Sequence, residues 1–192
     1  MQIIDNINKT VKDDLQAGIH KGSKMSVAAA CFSIYAYQEL KKQLDGIDEL
    51  RFIFTSPTFV TEKASKAQRE FYIPRISRES SLYGTEFEVK LRNELTQKAI
   101  AKECADWIRR KVVFKSNVTQ EQMMGFMTVD EITYMPINGF TTVDLGCERG
   151  NNAYYPVQKT ESFENANYFL RLFEQLWNDK KKLQEVTDVV IE

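Results

Sequence analysis

The chain holds a single histidine, His20, in 192 residues. That scarcity excludes a good deal of chemistry. A catalytic histidine needs a partner that orients it or takes its proton. His20 instead sits beside Lys21 and Gly22 at the end of an apolar helical repeat, where a cation favours the helix dipole. A capping or solvated role is the reading it supports. With one histidine, no Cys/His cluster and no HExxH, a protein-built zinc or iron site has no ligand set. Cysteine is scarce too. Cys31, Cys104 and Cys147 are odd in number, far apart and without a CxxC pair, which points to reduced thiols in a cytoplasmic setting. There is no GxxxxGKS/T and no GxGxxG run to cradle phosphate, and no GxSxG elbow. No apolar run reaches the length of a membrane span. The start, MQIIDNINKTVKDD, lacks the basic-then-apolar order of a signal peptide. Net charge is −1, so any polyanion site is a local patch and not a property of the whole molecule.

What is present suits one domain with a core of its own: 43% apolar and 28% charged residues are ordinary for a globular chain. Ile4, Ile7, Val11, Leu15 and Ile19, spaced by three and four, predict one helix ending near Gly18–Gly22. KMSVAAACFS (24–33) is apolar on both faces and reads as a buried strand. IYAYQELKKQL (34–44) puts Tyr37, Leu40 and Leu44 on one side of a helix. ELRFIFTS (49–56) alternates Leu50, Phe52 and Phe54, a second strand. Strand, helix, strand implies a parallel pair with a crossover, hence an α/β fold: a mixed sheet flanked by helices. Residues 84–111 read as a long helix with two stripes, Phe87–Leu91–Leu95 and Ile100–Cys104–Ile108, that are not collinear. Residues 112–115, 125–137, 138–146 and 152–157 read as short strands. Ser162 is placed to cap a helix with Phe163, Ala166, Phe169, Leu170, Phe173, Leu176 and Trp177 on one stripe. The tail from Asn178 is polar, with Val186, Val189 and Val190 on a further turn.

Three places carry candidate chemistry. Asp130 and Glu131 are adjacent, with Asp144 and Glu148 nearby. Paired carboxylates can hold Mg²⁺ for nuclease chemistry, yet neighbours on a strand point to opposite faces, so a solvated strand end is the plainer reading. The segment 63–78 carries Lys63, Lys66, Arg69, Arg75 and Arg78 around Phe71 and Tyr72. Charge that tracks a backbone beside rings that stack on bases is how single-stranded nucleic acid is held. A solvated loop with its rings turned inward is the alternative. Finally, NGFTTVDLG (138–146) reads as a strand with two threonines and an aspartate where packing residues would be simpler. Threonine has good β propensity, so a plain core strand explains it as well as an active-site strand does.

SVAAACFSIYAYQEL, ELRFIFTSP, YGTEFEVKLRNELTQKAIAKECADWIRRKV, NGFTTVDLG and FEQLWNDKKKLQEVTDVV together resemble the N-terminal domain of bacterial DEAD/DEAH-box helicases of the Swi/Snf type. Those proteins carry a phospholipase D-like domain ahead of an ATPase motor. The resemblance covers nearly the whole chain. It implies a phospholipase D-like accessory domain over residues 1–178, with 179–192 beginning a linker to a motor. It also implies nucleic acid and that motor as partners, ATP and Mg²⁺ acting in the motor alone, and no membrane. In phospholipase D-like enzymes the histidine of an HxKxxxxD motif attacks phosphorus, and a following strand adds small polar ligands. FMTVDEITYM, the expected motif strand, has neither histidine nor lysine. Gly22 stands where a lysine would have to follow His20. Thr141 and Thr142 then read as the vestige of a phosphate-ligand strand. The resemblance thus implies a domain without catalytic or metal-binding residues. Two other readings stay open: a metal-independent nuclease acting as a homodimer, and a protein–protein or dimerisation module.

Overall fold

The computed structural model of the protein describes residues 1–57, 94–148 and 156–192. The described strands, β1 (Gln2–Ile4), β2 (Lys24–Ala29), β3 (Glu49–Phe54), β4 (Val112–Asn117), β5 (Phe126–Val129), β6 (Ile132–Met135), β7 (Val157–Thr160) and β8 (Leu183–Glu185), form one mixed sheet in the order β1-β7-β6-β5-β2-β3-β4-β8. Strands β2 (Lys24–Ala29) and β3 (Glu49–Phe54) are parallel neighbours in the register Lys24↔Glu49 to Ala29↔Phe54, as the intervening helical pattern requires. Helices α1 (Val11–Gly18), α2 (Ile34–Glu39), α3 (Lys41–Leu44), α4 (Glu94–Lys111) and α6 (Thr187–Ile191) supply buried residues to the larger core. Strand β4 (Val112–Asn117) continues the parallel set beside β3. The core on this side is aromatic: Phe32 stacks on Phe140 and Trp107, and Phe52, Phe54 and Phe114 pack among themselves. The Trp107 indole N–H donates to the Leu44 carbonyl at 3.0 Å, so the buried ring keeps its polar atom satisfied. Ile100, Cys104 and Ile108 face this core as their spacing predicted.

The N-terminal helix is shorter than its periodicity suggested. Gln2–Ile4 form β1, antiparallel to β7 (Val157–Thr160), and the helix starts only at Val11. The cause is local. The Asp5 carboxylate accepts the N–H groups of Ile7, Asn8 and Lys9 at 2.9, 2.9 and 3.2 Å, and Asn6 adopts φ 57. A side chain that takes backbone donors in this way competes with the helix ladder. Thr10 then caps α1 by accepting the Asp13 N–H at 3.1 Å.

The strand expected over 125–137 is a hairpin. β5 (Phe126–Val129) turns through Asp130 and Glu131 into β6 (Ile132–Met135), with Asp130 at φ 51. Asp130 accepts the Lys24 N–H at 3.0 Å and the Ser23 hydroxyl at 2.8 Å. The carboxylate pair is therefore a turn pinned to the start of β2. On the second sheet face a smaller cluster of Ala28, Ile53, Phe126 and Leu183 meets Phe173 of α5 (Phe163–Trp177). Residues 179–192, expected to begin a linker, supply the sheet's edge strand and a short helix packed on the core. β8 (Leu183–Glu185) pairs antiparallel with β4, and α6 buries Val190. Among the described residues no helix is long and apolar enough to cross a membrane.

Candidate functional site

In open α/β sheets ligands gather at the carboxyl ends of the parallel strands, where connecting loops converge. Residues 138–148 lie at that edge. The Ala30 N–H donates to the Asn138 carbonyl at 2.7 Å, the Phe140 N–H to Cys31 at 2.8 Å and the Ser33 N–H to Phe140 at 2.9 Å. Strand character stops there, at an isolated parallel bridge between Phe32 and Phe140. From Thr141 the chain closes into a turn, with Leu145 N–H donating to Thr141 and Cys147 N–H to Thr142. NGFTTVDLG is thus a bridge followed by a turn, and not the strand its composition suggested. The reason is in the side chains. Thr141 Oγ1 accepts the Asp144 N–H at 3.1 Å and donates to the Asp144 carboxylate at 2.5 Å. Thr-x-x-Asp has the spacing of a capping box, and such bonds favour turns over ladders.

This turn is locked on both sides. The Lys12 N–H of α1 donates to the Leu145 carbonyl at 2.9 Å, and Asn6 Nδ2 to the Asp144 carbonyl at 3.3 Å. A Cβ on Gly139 would come 2.6 Å from Cys31 Sγ and 2.8 Å from Asp144 Oδ2. The Thr142 hydroxyl donates to Glu148 at 3.1 Å. Thr141, Thr142 and Asp144 are all buried. Both hydroxyls are therefore engaged by carboxylates, and an anion brought to them would meet negative charge.

The remaining polar groups of this edge are also used by the chain. Asn117 Nδ2 donates to the carbonyls of Thr55 and Glu121, each at 2.9 Å, and Asn117 Oδ1 accepts the Thr119 N–H at 2.8 Å. His20 lies at the other end of β2. Its N–H donates to Ser23 Oγ at 2.9 Å, just before Lys24. A six-residue strand is about 20 Å long, so His20 and the threonines are not brought together. Lys63, Lys66, Arg69, Arg75 and Arg78 lie outside the described residues. So do Phe71 and Tyr72. Burial pushes the Cys147 thiol up to about 12 and the Cys104 thiol higher still, which leaves both protonated and poor as nucleophiles at neutral pH. Among the described residues no group of three or more His, Cys, Asp or Glu is placed to hold a metal ion. A cleft of about 100 Å³ of mixed lining lies between Phe32, Ala101, Cys104, Ile108, Val190 and Glu192, below the roughly 300 Å³ at which small-molecule sites begin.

Two clusters were not anticipated from the sequence. Asp14, 4% exposed, accepts from Tyr134, Lys9 and Lys159 at 2.5, 2.9 and 3.0 Å. Burial alone would raise its carboxyl, but the Tyr134 hydroxyl and the two ammoniums hold it below the ordinary value. On the other face, Arg51 lies over Phe173 and Trp177 and pairs with Glu174 at 2.5 Å. Lys115 stands 4.4 Å from the Trp177 ring and donates to its carbonyl at 2.8 Å. Cations over ring faces are a recognised attraction, but the partners come from β3, β4 and α5, so no local pattern announces them.

No family model and no curated protein matches the chain. Among solved structures it is similar to that of TrmBL2, described as an archaeal chromatin protein with a novel mode of DNA binding. The identity is 9% and the TM-score 0.41, over 96% of this chain and 52% of the other. The chain thus spans about half the length of that protein. A likeness this loose supports no statement about activity or ligand.

Proposed function

We propose that the chain is a non-catalytic, phospholipase D-like domain of a helicase that helps hold nucleic acid for the motor. The observation that carries the non-catalytic part is the separation at β2. The one histidine lies at its amino end, while Thr141 and Thr142 lie at its carboxyl end, hydrogen-bonded to Asp144 and Glu148. Cleavage of a phosphodiester through a histidine adduct needs that histidine at the phosphorus and a second group to protonate the leaving oxygen. With His20 held away from the threonines, and carboxylates against both hydroxyls, this reading leaves the turn a structural role and gives binding to the basic segment. In this reading Lys63, Lys66, Arg69, Arg75 and Arg78 contact phosphates, and the motor supplies ATP, Mg²⁺ and most of the affinity.

The test has two arms on one preparation. Incubation with a bis-aryl phosphodiester and with single-stranded DNA is expected to give no hydrolysis; hydrolysis lost in His20→Ala would restore the nuclease reading. A salt titration of oligonucleotide binding is then run on wild type and on Lys63→Ala/Lys66→Ala/Arg69→Ala. Each phosphate neutralised contributes close to one unit of log–log salt slope, so the variant should flatten it by roughly two to three units. Base preference should not change, because phosphate contacts position without reading sequence. Identical slopes would remove these residues from the interface. No binding by either protein at low salt would favour the protein–protein module.

A further inference from the structure

Helix α5 is tied to the sheet at both flanks. It leaves β7, one strand in from an edge, through Glu161 and Ser162, and reaches β8, the opposite edge, through residues 178–182. Six strand spacings of about 4.8 Å separate β7 from β8, and the fifteen residues of α5 cover about 22 Å of that span. The helix is lightly seated. Among its residues only Ala166 and Phe173 are buried, and Phe173 belongs to the smaller cluster, apart from the main core. Phe169, Leu172, Leu176 and Trp177 pack on that cluster while only partly buried. Ser162 makes no side-chain cap bond. Polar contacts supply the rest: Arg51 pairs with Glu174 at 2.5 Å, and Lys115 donates to the Trp177 carbonyl at 2.8 Å.

The face beneath α5 is not uniformly apolar. Ala28, Ile53, Phe126 and Met135 belong to the cluster that meets Phe173. Two residues away along each strand, and so on the same face, stand Ser26, Arg51, Thr128 and Thr133. They form a row, in the registers Ser26↔Arg51, Ser26↔Thr128 and Thr128↔Thr133. Its three hydroxyl residues are at most 4% exposed. In this row Arg51 Nε and Thr133 Oγ1 are buried and make no hydrogen bond among the described residues. A buried polar atom without a partner carries a desolvation cost that contact with water relieves. Both such atoms lie on the face that this lightly seated helix covers.

We propose that α5 is a strap that lifts from the sheet as one unit while the main core stays folded, uncovering the row from Arg51 to Thr133. Lifting gives up the burial of one ring, Phe173, and an ion pair that is half in water, Glu174 being 49% exposed at its side chain. Such a pair is weak and is screened by salt. Lifting also hydrates the two orphaned atoms, which offsets part of the loss. The main core, with Phe52, Trp107 and Phe114 among its buried rings, is untouched by the step. Elements with few buried apolar contacts open at lower free energy than the core. The floor so uncovered presents three hydroxyls and a guanidinium that the closed form withholds from solvent.

The test follows opening in the whole chain by hydrogen exchange with peptide mass spectrometry, at neutral pH and in urea below the unfolding transition. Peptides from residues 163–177 should exchange at least about ten-fold faster than those from β2 and β3, and the rates should merge as urea approaches the transition. A second arm reports on the row itself. Thr133→Cys places a thiol there, and Cys104, buried in the main core, is the internal reference. With a thiol reagent in excess, the introduced thiol should be modified at least about ten-fold faster than Cys104. Adding Glu174→Gln should speed that modification by up to about five-fold, and added salt should speed it in the parent alone. Exchange of 163–177 in step with β2 and β3 would overturn the proposal, and that arm needs no substitution. Modification in step with Cys104 would overturn it too, since the row would then stay covered until the core opens. A Glu174→Gln protein modified no faster than its parent would overturn the ion pair as the clasp of the strap.

Discussion

Gly125 shows how much one hydrogen atom can decide. It precedes β5 and accepts the Ile137 N–H at 3.0 Å. A Cβ built there would stand 1.7 Å from the Ile137 carbonyl oxygen and 2.8 Å from its carbon. Both are backbone atoms of the strand pair that leads into residues 138–148, so no side-chain rotation relieves the clash. Gly125→Ala should therefore cost at least about 3 kcal/mol, the upper range of overpacking, and loosen the turn that holds Thr141 and Asp144. Gly46→Ala is the control, since its Cβ would meet nothing nearer than 3.6 Å; a gain of up to about 1 kcal/mol from reduced unfolded-state freedom is expected there. Urea unfolding of both variants checks the pair, and equal midpoints would refute the argument. Neither effect can be read from the sequence, where the two glycines look alike. By contrast, Thr141-x-x-Asp144 is a legible turn-forming spacing that the β propensity of its threonines obscured.

At the scale of elements, legibility followed the range of the interactions. β3 announced itself by its alternation, α5 and the Ile100–Cys104–Ile108 half of α4 by a helical apolar stripe, and β2 by a run apolar on both faces. The parallel pairing of β2 and β3 followed from the helical segment between them. In the tail the turn with Val189 and Val190 was legible, but the edge strand Leu183–Glu185 was not. Leu183, Val186 and Val190 are buried, at 6%, 1% and 5% exposure, but they sit among lysines and acids and gain their burial only in tertiary contact: Val186 and Val190 in the main core, Leu183 in the cluster beneath α5. The Phe114 N–H donates to Thr187 Oγ1 and the Val186 N–H to the Phe114 carbonyl, each at 2.9 Å. Phe163 shows the opposite error: its spacing matched the core stripe of α5, yet as the first residue of that helix it faces solvent, 69% exposed. If 179–192 were a linker, removing it would leave stability unchanged. The packing predicts otherwise. Three buried aliphatic side chains at about 1.5–3 kcal/mol each amount to a large part of the roughly 5–15 kcal/mol that holds a domain folded. A chain ending at residue 178 should lose its cooperative urea transition or shift it to much lower urea, and an unchanged midpoint would return the tail to linker status.

At the scale of the whole molecule, charge sets a window of stability that composition alone does not show. The net charge is −1, but the carboxylates and thiols are not average ones. Asp5, accepting from the Ile7, Lys9 and Asn8 amides and the Asn8 side chain, is lowered from 3.8 to about 2. Asp14 is lowered by Tyr134 and the two lysines against the opposing effect of burial. In both, the native state releases its proton more readily than the unfolded chain. Their stabilisation is present above about pH 4 and is lost as pH falls through the native values. Cys147 runs the other way. Raised from 9.0 to about 12, it keeps a proton that the unfolded chain gives up, so stability falls as pH rises from about 9. The expected profile is a plateau between about pH 4 and 9 with a limb on each side. Asp14→Asn isolates one part of it. At pH 7 the variant leaves Lys159, 12% exposed at its side chain, and Tyr134 without their carboxylate, a loss of about 3 kcal/mol. As pH falls through the lowered range in which Asp14 of the wild type takes up its proton, the two proteins should converge. Urea midpoints of both, measured from pH 2 to pH 10, give the comparison. A wild-type advantage that stays constant down the acid limb would mean that Asp14 stabilises the fold by packing rather than by its charge.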